Sequence, residues 1–164
     1  MVKLIIRKDK KMEQLKTNVA IANIKGSNVY PNLHGRVIFK QEDYGVMVTA
    51  EIYGLPVSTQ KCATNIFGFH IHEGSSCTGN QTDAFFNVGG HYNPNNCNHP
   101  AHAGDLPPLF GNDGYAYLSV LTNRFTLNEI IGKTIIIHDK PDDFTTQPAG
   151  NAGNKIACGE ITPL

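Results

Sequence analysis

The chain has no net charge, its 14 Lys+Arg residues matching 14 Asp+Glu residues. That balance recommends neither nucleic acid nor an anionic membrane as a partner. No apolar run approaches the ~20 residues needed to cross a bilayer, so no membrane span is expected. No signal peptide is expected from these residues: the run Leu4-Ile5-Ile6 gives way at once to Arg7-Lys8-Asp9-Lys10-Lys11. As it stands the chain reads as cytoplasmic, and as periplasmic or extracellular if a leader has been removed. Four cysteines, Cys62, Cys77, Cys97 and Cys158, are too few and too scattered for a disulfide-framework miniprotein. They allow one or two bridges, or none in a reducing compartment. Internal repeats and low-complexity runs are absent, and the one helical hint, 126–131, is short.

Other features are present in quantity. The length of 164 residues suits one domain with a sizeable core. Residues 1–16 carry a charge of +4 and the remainder −4, so a basic, disordered N-terminal tail is expected ahead of a mildly acidic domain over 17–164. Sixteen glycines and nine prolines, spread along the chain, suit short strands joined by turns. Apolar or alternating segments at 17–24, 36–40, 45–53, 66–72, 115–121, 133–138 and 156–161 read as strands. The segment 73–108 breaks this rhythm. It is dense in Gly, Asn, Pro, His and Cys, and a loop of that length in a compact domain is expected to be functional.

Five of the seven histidines lie in or beside that loop, and a sixth, His138, joins them from a later strand. His70 and His72 sit two apart on a predicted strand, so both imidazoles share one face while Ile71 points into the core, the α-carbons ~6.5 Å apart. His91, His99, His102 and Asp105 follow at spacings of eight, three and three, and His138 ends a later strand. Imidazole suits copper and zinc, and an added carboxylate favours zinc. Seven candidate ligands exceed one tetrahedral site, which implies two ions. His34, beside Gly35, reads as a turn residue outside this cluster.

Five blocks of the chain resemble the signature motifs of the copper–zinc superoxide dismutases. They are Gly68-Phe69-His70-Ile71-His72-Glu73, Gly90-His91-Tyr92-Asn93-Pro94, His102-Ala103-Gly104-Asp105-Leu106, 132–138 ending in His138, and 150–159 ending in Ala157-Cys158-Gly159. They occur in family order, and the likeness runs from about residue 17 to the end. The short gap between His99 and His102 is of the trimmed, bacterial-like kind. The resemblance implies an all-β fold, an eight-stranded Greek-key barrel or sandwich with long metal-binding and electrostatic loops. It implies a copper ion held by His70, His72, His91 and His138, and a zinc ion held by His91, His99, His102 and Asp105. His91 would then bridge the two. Asp142 matches the aspartate that ties a copper-ligand histidine to a zinc-ligand histidine, and Cys77 and Cys158 match the family's disulfide.

The activity implied is dismutation of the superoxide anion to dioxygen and hydrogen peroxide, with His91 and Lys155 as the catalytic residues. Lys155 stands where the family carries a guanidinium, a difference in geometry at equal charge. A homodimer is one assembly the resemblance allows. The alternative is a non-catalytic metal buffer or chaperone-like relative. Such a relative would be expected to lose copper ligands, and all four are present. Cys62 and Cys97 are additional, and whether they are free, paired with each other or close to the zinc site stays open.

Overall fold

The computed structural model describes residues 17–164, so the basic segment 1–16 lies outside the described residues. Nine strands form among the described residues: β1 Val19–Gly26, β2 His34–Glu42, β3 Gly45–Tyr53, β4 Ile66–Phe67, β5 Phe69–His72, β6 Leu109–Phe110, β7 Ala116–Thr122, β8 Thr134–His138 and β9 Lys155–Pro163. Each of the seven predicted strand segments is found, and the Thr126 region forms the short helix α1, Leu127–Ile130. β4 and β5 are one run broken at Gly68, which leaves the eight strand segments expected. His34 opens β2 rather than occupying a turn, because it pairs with Tyr53 across the hairpin and stacks on that ring.

One antiparallel sheet runs in the order β5-β8-β9-β1-β2-β3-β7, and β4 pairs with β6 in a two-stranded piece lying against β7. The connections from β3 to β4 and from β7 to β8 cross from one edge of the order to the other, the Greek-key pattern. The sheet curls around a single large core. β3 shows why: Val46, Val48, Ala50 and Ile52 alternate inward and are fully buried, while Met47, Thr49 and Glu51 face outward.

β5 and β8 depart from that half-buried pattern, every residue of both being buried. Their inward faces carry Phe69, Ile71, Ile135 and Ile137 into the core. Their outward faces carry His70, His72, Thr134, Ile136 and His138, and the long loop 73–108 covers these. Phe85 and Val88 of that loop pack on Ile136 and Cys158. Thus a strand pair that would otherwise face water is sealed by loop, and the candidate site lies outside the barrel core, between sheet and loop.

Candidate metal centre

β5 is a sheet edge, and the loop satisfies its unpaired backbone groups. The Ile71 amide donates to the Gly104 carbonyl at 2.9 Å, and the Tyr92 amide donates to the Ile71 carbonyl at 2.8 Å. The Gly104 amide donates to Tyr92 at 2.8 Å, closing the set. These contacts bring His91 beside His72 and Asp105 beside His70. A Cβ on Gly104 would stand 2.2 Å from the Ile71 carbonyl oxygen, so only glycine permits this close approach.

Two groups of donors result. His70, His72, His91 and His138 form one, and His91, His99, His102 and Asp105 form the other, each with its ligand atoms within 4.8 Å of one another. All seven side chains are buried. Asp105 accepts from His91 Nδ1 at 2.7 Å and lies 3.0 Å from His99 Nδ1 and 3.3 Å from His102 Nδ1. The carboxylate sits in one group only, which suits zinc there and copper in the all-imidazole group.

Four buried ring nitrogens have no hydrogen-bond partner among the described residues: His70 Nδ1, His91 Nε2, His99 Nδ1 and His102 Nδ1. Unpaired buried polar atoms are costly, and four pointing into two neighbouring groups are explained by ligated ions. The opposite nitrogens are tied down. His70 Nε2 donates to Asp142 Oδ2 at 2.7 Å and His99 Nε2 to Asp142 Oδ1 at 2.8 Å, so one carboxylate orients a ring in each group. His72 Nδ1 donates to the Gly89 carbonyl at 2.9 Å, and its Nε2 faces His138 Nε2 at 3.4 Å. His91 has no such anchor outside the two groups: Nδ1 faces Asp105 and Nε2 faces the other three histidines.

Burial lowers the pKa of His70, His72 and His138, that of His138 to about 3, so these rings are neutral and basic lone pairs are available. Burial acts in the opposite sense on Asp142. Hydrogen bonds from His70, the Phe144 amide and His99 outweigh it and hold the carboxyl well below the usual range. Burial likewise opposes ionisation of Asp105, and the three neighbouring histidines reverse it.

A cleft of about 1050 Å³ opens over His72, His91 and His138 and is lined by Asp83, Gly153 and Lys155 among others. Lys155 is therefore brought to the mouth of the site, where its ammonium is paired with the Asp83 carboxylate. Cys77 and Cys158 are joined in a disulfide, while Cys62 and Cys97 are free and exposed.

Three supporting side chains carry no signal in the sequence. Arg124 Nη1 donates to the carbonyls of Pro100, His102 and Asp105 at 2.9, 3.2 and 3.2 Å, clasping the segment that bears the zinc-group residues. Gln147 pairs with the His99 backbone through both its amide atoms, at 2.9 and 2.7 Å. Asp83 is the third. Each is an isolated polar residue in a turn-rich stretch, with no spacing that marks it.

A curled Greek-key sheet with two donor groups sharing one imidazole defines a dinuclear metalloprotein. Residues 33–161 match the family model described as copper/zinc superoxide dismutase (SODC). The chain is 33% identical to superoxide dismutase (Cu-Zn) 1 of Aquifex aeolicus (strain VF5), over 91% of this chain and 89% of that protein. It is 35% identical to superoxide dismutase (Cu-Zn) of Photobacterium leiognathi over 77% of this chain and 78% of the relative. For superoxide dismutase (Cu-Zn) of Legionella pneumophila the identity is 32%, covering 88% and 91%. The chain belongs to the copper/zinc superoxide dismutase family.

Proposed function

We propose that this chain dismutates superoxide, two superoxide anions and two protons yielding dioxygen and hydrogen peroxide. The observation that carries the reading is His91, which is shared by both donor groups and has neither ring nitrogen anchored elsewhere. His70, His72, His91 and His138 hold copper; His91, His99, His102 and Asp105 hold zinc. When bound, copper supplies a one-electron couple and zinc a redox-silent Lewis acid. The chain's own residues do the remainder. His91 takes a proton at Nε2 in one half of the cycle and returns it to the product in the other. Asp142 keeps the His70 and His99 rings in fixed orientation and tautomer through both halves. Lys155 presents positive charge to an incoming anion.

All four copper-group histidines are present and converge, which disfavours a metal buffer that has lost catalysis. The Cys77–Cys158 bridge suits an oxidising compartment and supports the periplasmic or extracellular alternative. Among the described residues no helix is long and apolar enough to cross a membrane. Exposed Phe110, Tyr117 and Leu121 offer apolar surface for a homodimer, which sedimentation would detect. The decisive experiment is superoxide consumption by protein reconstituted with both metals, against a copper-depleted control. Elemental analysis is expected to find one copper and one zinc per chain. Zinc alone after copper reconstitution would overturn the proposal.

A further inference from the structure

The cation at the cleft is not free. Lys155, the first residue of β9, has a side chain 17% exposed, and its ammonium is bound by Asp83, whose side chain is 31% exposed. Asp83 itself is held in place. Asn80 Oδ1 accepts from the Asp83 amide at 2.9 Å, and the Asp83 carbonyl accepts from the Asn80 amide at 2.9 Å. Asp83 Oδ1 accepts from the Phe85 amide at 2.9 Å, which commits that oxygen and leaves Oδ2 for Lys155. The turn is anchored on both sides, by the disulfide at Cys77 and by Phe85 and Val88 packed on Ile136 and Cys158. Cys158 lies on the strand that begins with Lys155. Carboxylate and ammonium therefore ride on one cross-linked unit, and both line the cleft over His72, His91 and His138.

Such a pair does little for stability, because an ion pair open to solvent at a cleft mouth is partly screened and costs side-chain entropy. Its consequence is electrostatic. A small anion approaching the histidine cluster meets a dipole instead of an isolated positive charge, and the attraction of a dipole falls off faster with distance. The domain around it carries a net negative charge, so no surplus of positive charge compensates.

We infer that Asp83 is a positioning residue that orients the Lys155 ammonium and attenuates its pull on anions entering the cleft. This deepens the proposed function and rests on it. The Asp83 carboxylate acts through Lys155 by fixing where the ammonium sits, and adds its own repulsion of anions, so its removal matters most while Lys155 is present.

The test uses the copper- and zinc-loaded protein and azide, a small monoanion that ligates cupric ions, titrated by its charge-transfer absorption at several salt concentrations. Removing one unit charge a few ångströms from the anion's path in a watery cleft changes its local concentration by about threefold. Asp83→Asn keeps an oxygen able to accept from the Phe85 amide. It is expected to tighten azide binding and raise the low-salt dismutation rate by more than that factor, because the released ammonium also turns toward the anion, with a steeper decline as salt rises. Lys155→Ala is expected to weaken azide binding and flatten the salt dependence. With Lys155 already replaced by alanine, Asp83→Asn is expected to give a smaller gain, that of its own charge alone. Asp83→Ser, which removes the charge at smaller size, should reproduce the asparagine result if the turn is intact by circular dichroism. Unchanged or weaker azide binding in folded Asp83→Asn overturns the inference. So does an equal gain with Lys155 already removed, since Asp83 would then act as a general surface charge. Failure of the unmodified, fully metallated protein to bind azide at all would instead sink the copper-site reading on which the inference rests.

Discussion

Cys77→Ser isolates the contribution of the disulfide. The bridge joins residues 81 apart in sequence, tying the loop after β5 to the middle of β9. In the chain-entropy model a closed loop of that length restricts the unfolded state by about 4.5 kcal/mol. For the 148 described residues the unfolding entropy is about 0.3 kcal/mol/K, so the melting temperature should fall by up to about 14 °C. The substitution belongs at Cys77, which is only partly buried. Serine at Cys158, 2% exposed among Ile136, Phe85 and Val88, would add a buried hydroxyl and confound the result. The folded loop keeps its other ties, including the Gly74 amide to Val88 at 2.8 Å and the Asn87 amide to Thr78 at 3.0 Å. The native spectrum should therefore change little while the transition moves down. Scanning calorimetry of the variant, and of unmodified protein with and without reductant, measures the shift. A fall of less than about 3 °C, with the bond verified in the parent by mass spectrometry, would refute the loop-entropy reasoning.

Other perturbations address the site itself. Metal-free protein should lose stability as pH falls below about 6.5, because the unfolded histidines then bind protons that His72 and His138, buried and neutral, refuse until far lower pH. Asp142, whose folded pKa is depressed, adds a further loss below about pH 4 as the unfolded carboxylate protonates first. Urea midpoints of apo protein that stay flat from pH 7.5 to 4 would contradict the histidine assignment, and no further fall below pH 4 would contradict that of Asp142. Gly150→Ala places a Cβ 2.1 Å from Asp142 Oδ1 and 2.6 Å from His99 Nε2, at a backbone φ of +65°. It should displace the carboxylate from both rings and speed zinc loss to a chelator, and retention equal to the parent would show that Asp142 does not hold His99. Arg124→Ala removes the clasp on three carbonyls and should weaken zinc retention roughly tenfold, with partial rescue by Arg124→Lys. Copper-site absorption unchanged alongside faster zinc loss is the expected pattern; both metals lost in parallel would make Arg124 a general stabiliser.

The strands and the residues that converge in the two donor groups were legible in the chain because their signals are local. Alternation at 45–53 marks β3 through side-chain geometry alone, and His70-Ile71-His72 puts two imidazoles on one face of any strand that contains it. The motifs around His91, Asp105 and His138 extended that reading to two ions, and the cysteines could be paired through resemblance though not through spacing. Tertiary structure decided what depends on segments distant in sequence. β6 is only Leu109–Phe110, too short to show a period, and exists because β4 lies beside it. β5 and β8 are buried on both faces because a loop rich in Asn and Gly folds over them, which composition alone would assign to solvent. Lys155 was visible as a cation, whereas its neutralising partner is 72 residues earlier in a turn like many others. Arg124 reaches the zinc-group segment 19 to 24 residues away, and Gln147 reaches His99 across 48. A lone polar side chain is free to point in many directions along its own chain, and only packing of the whole domain selects the partner it meets.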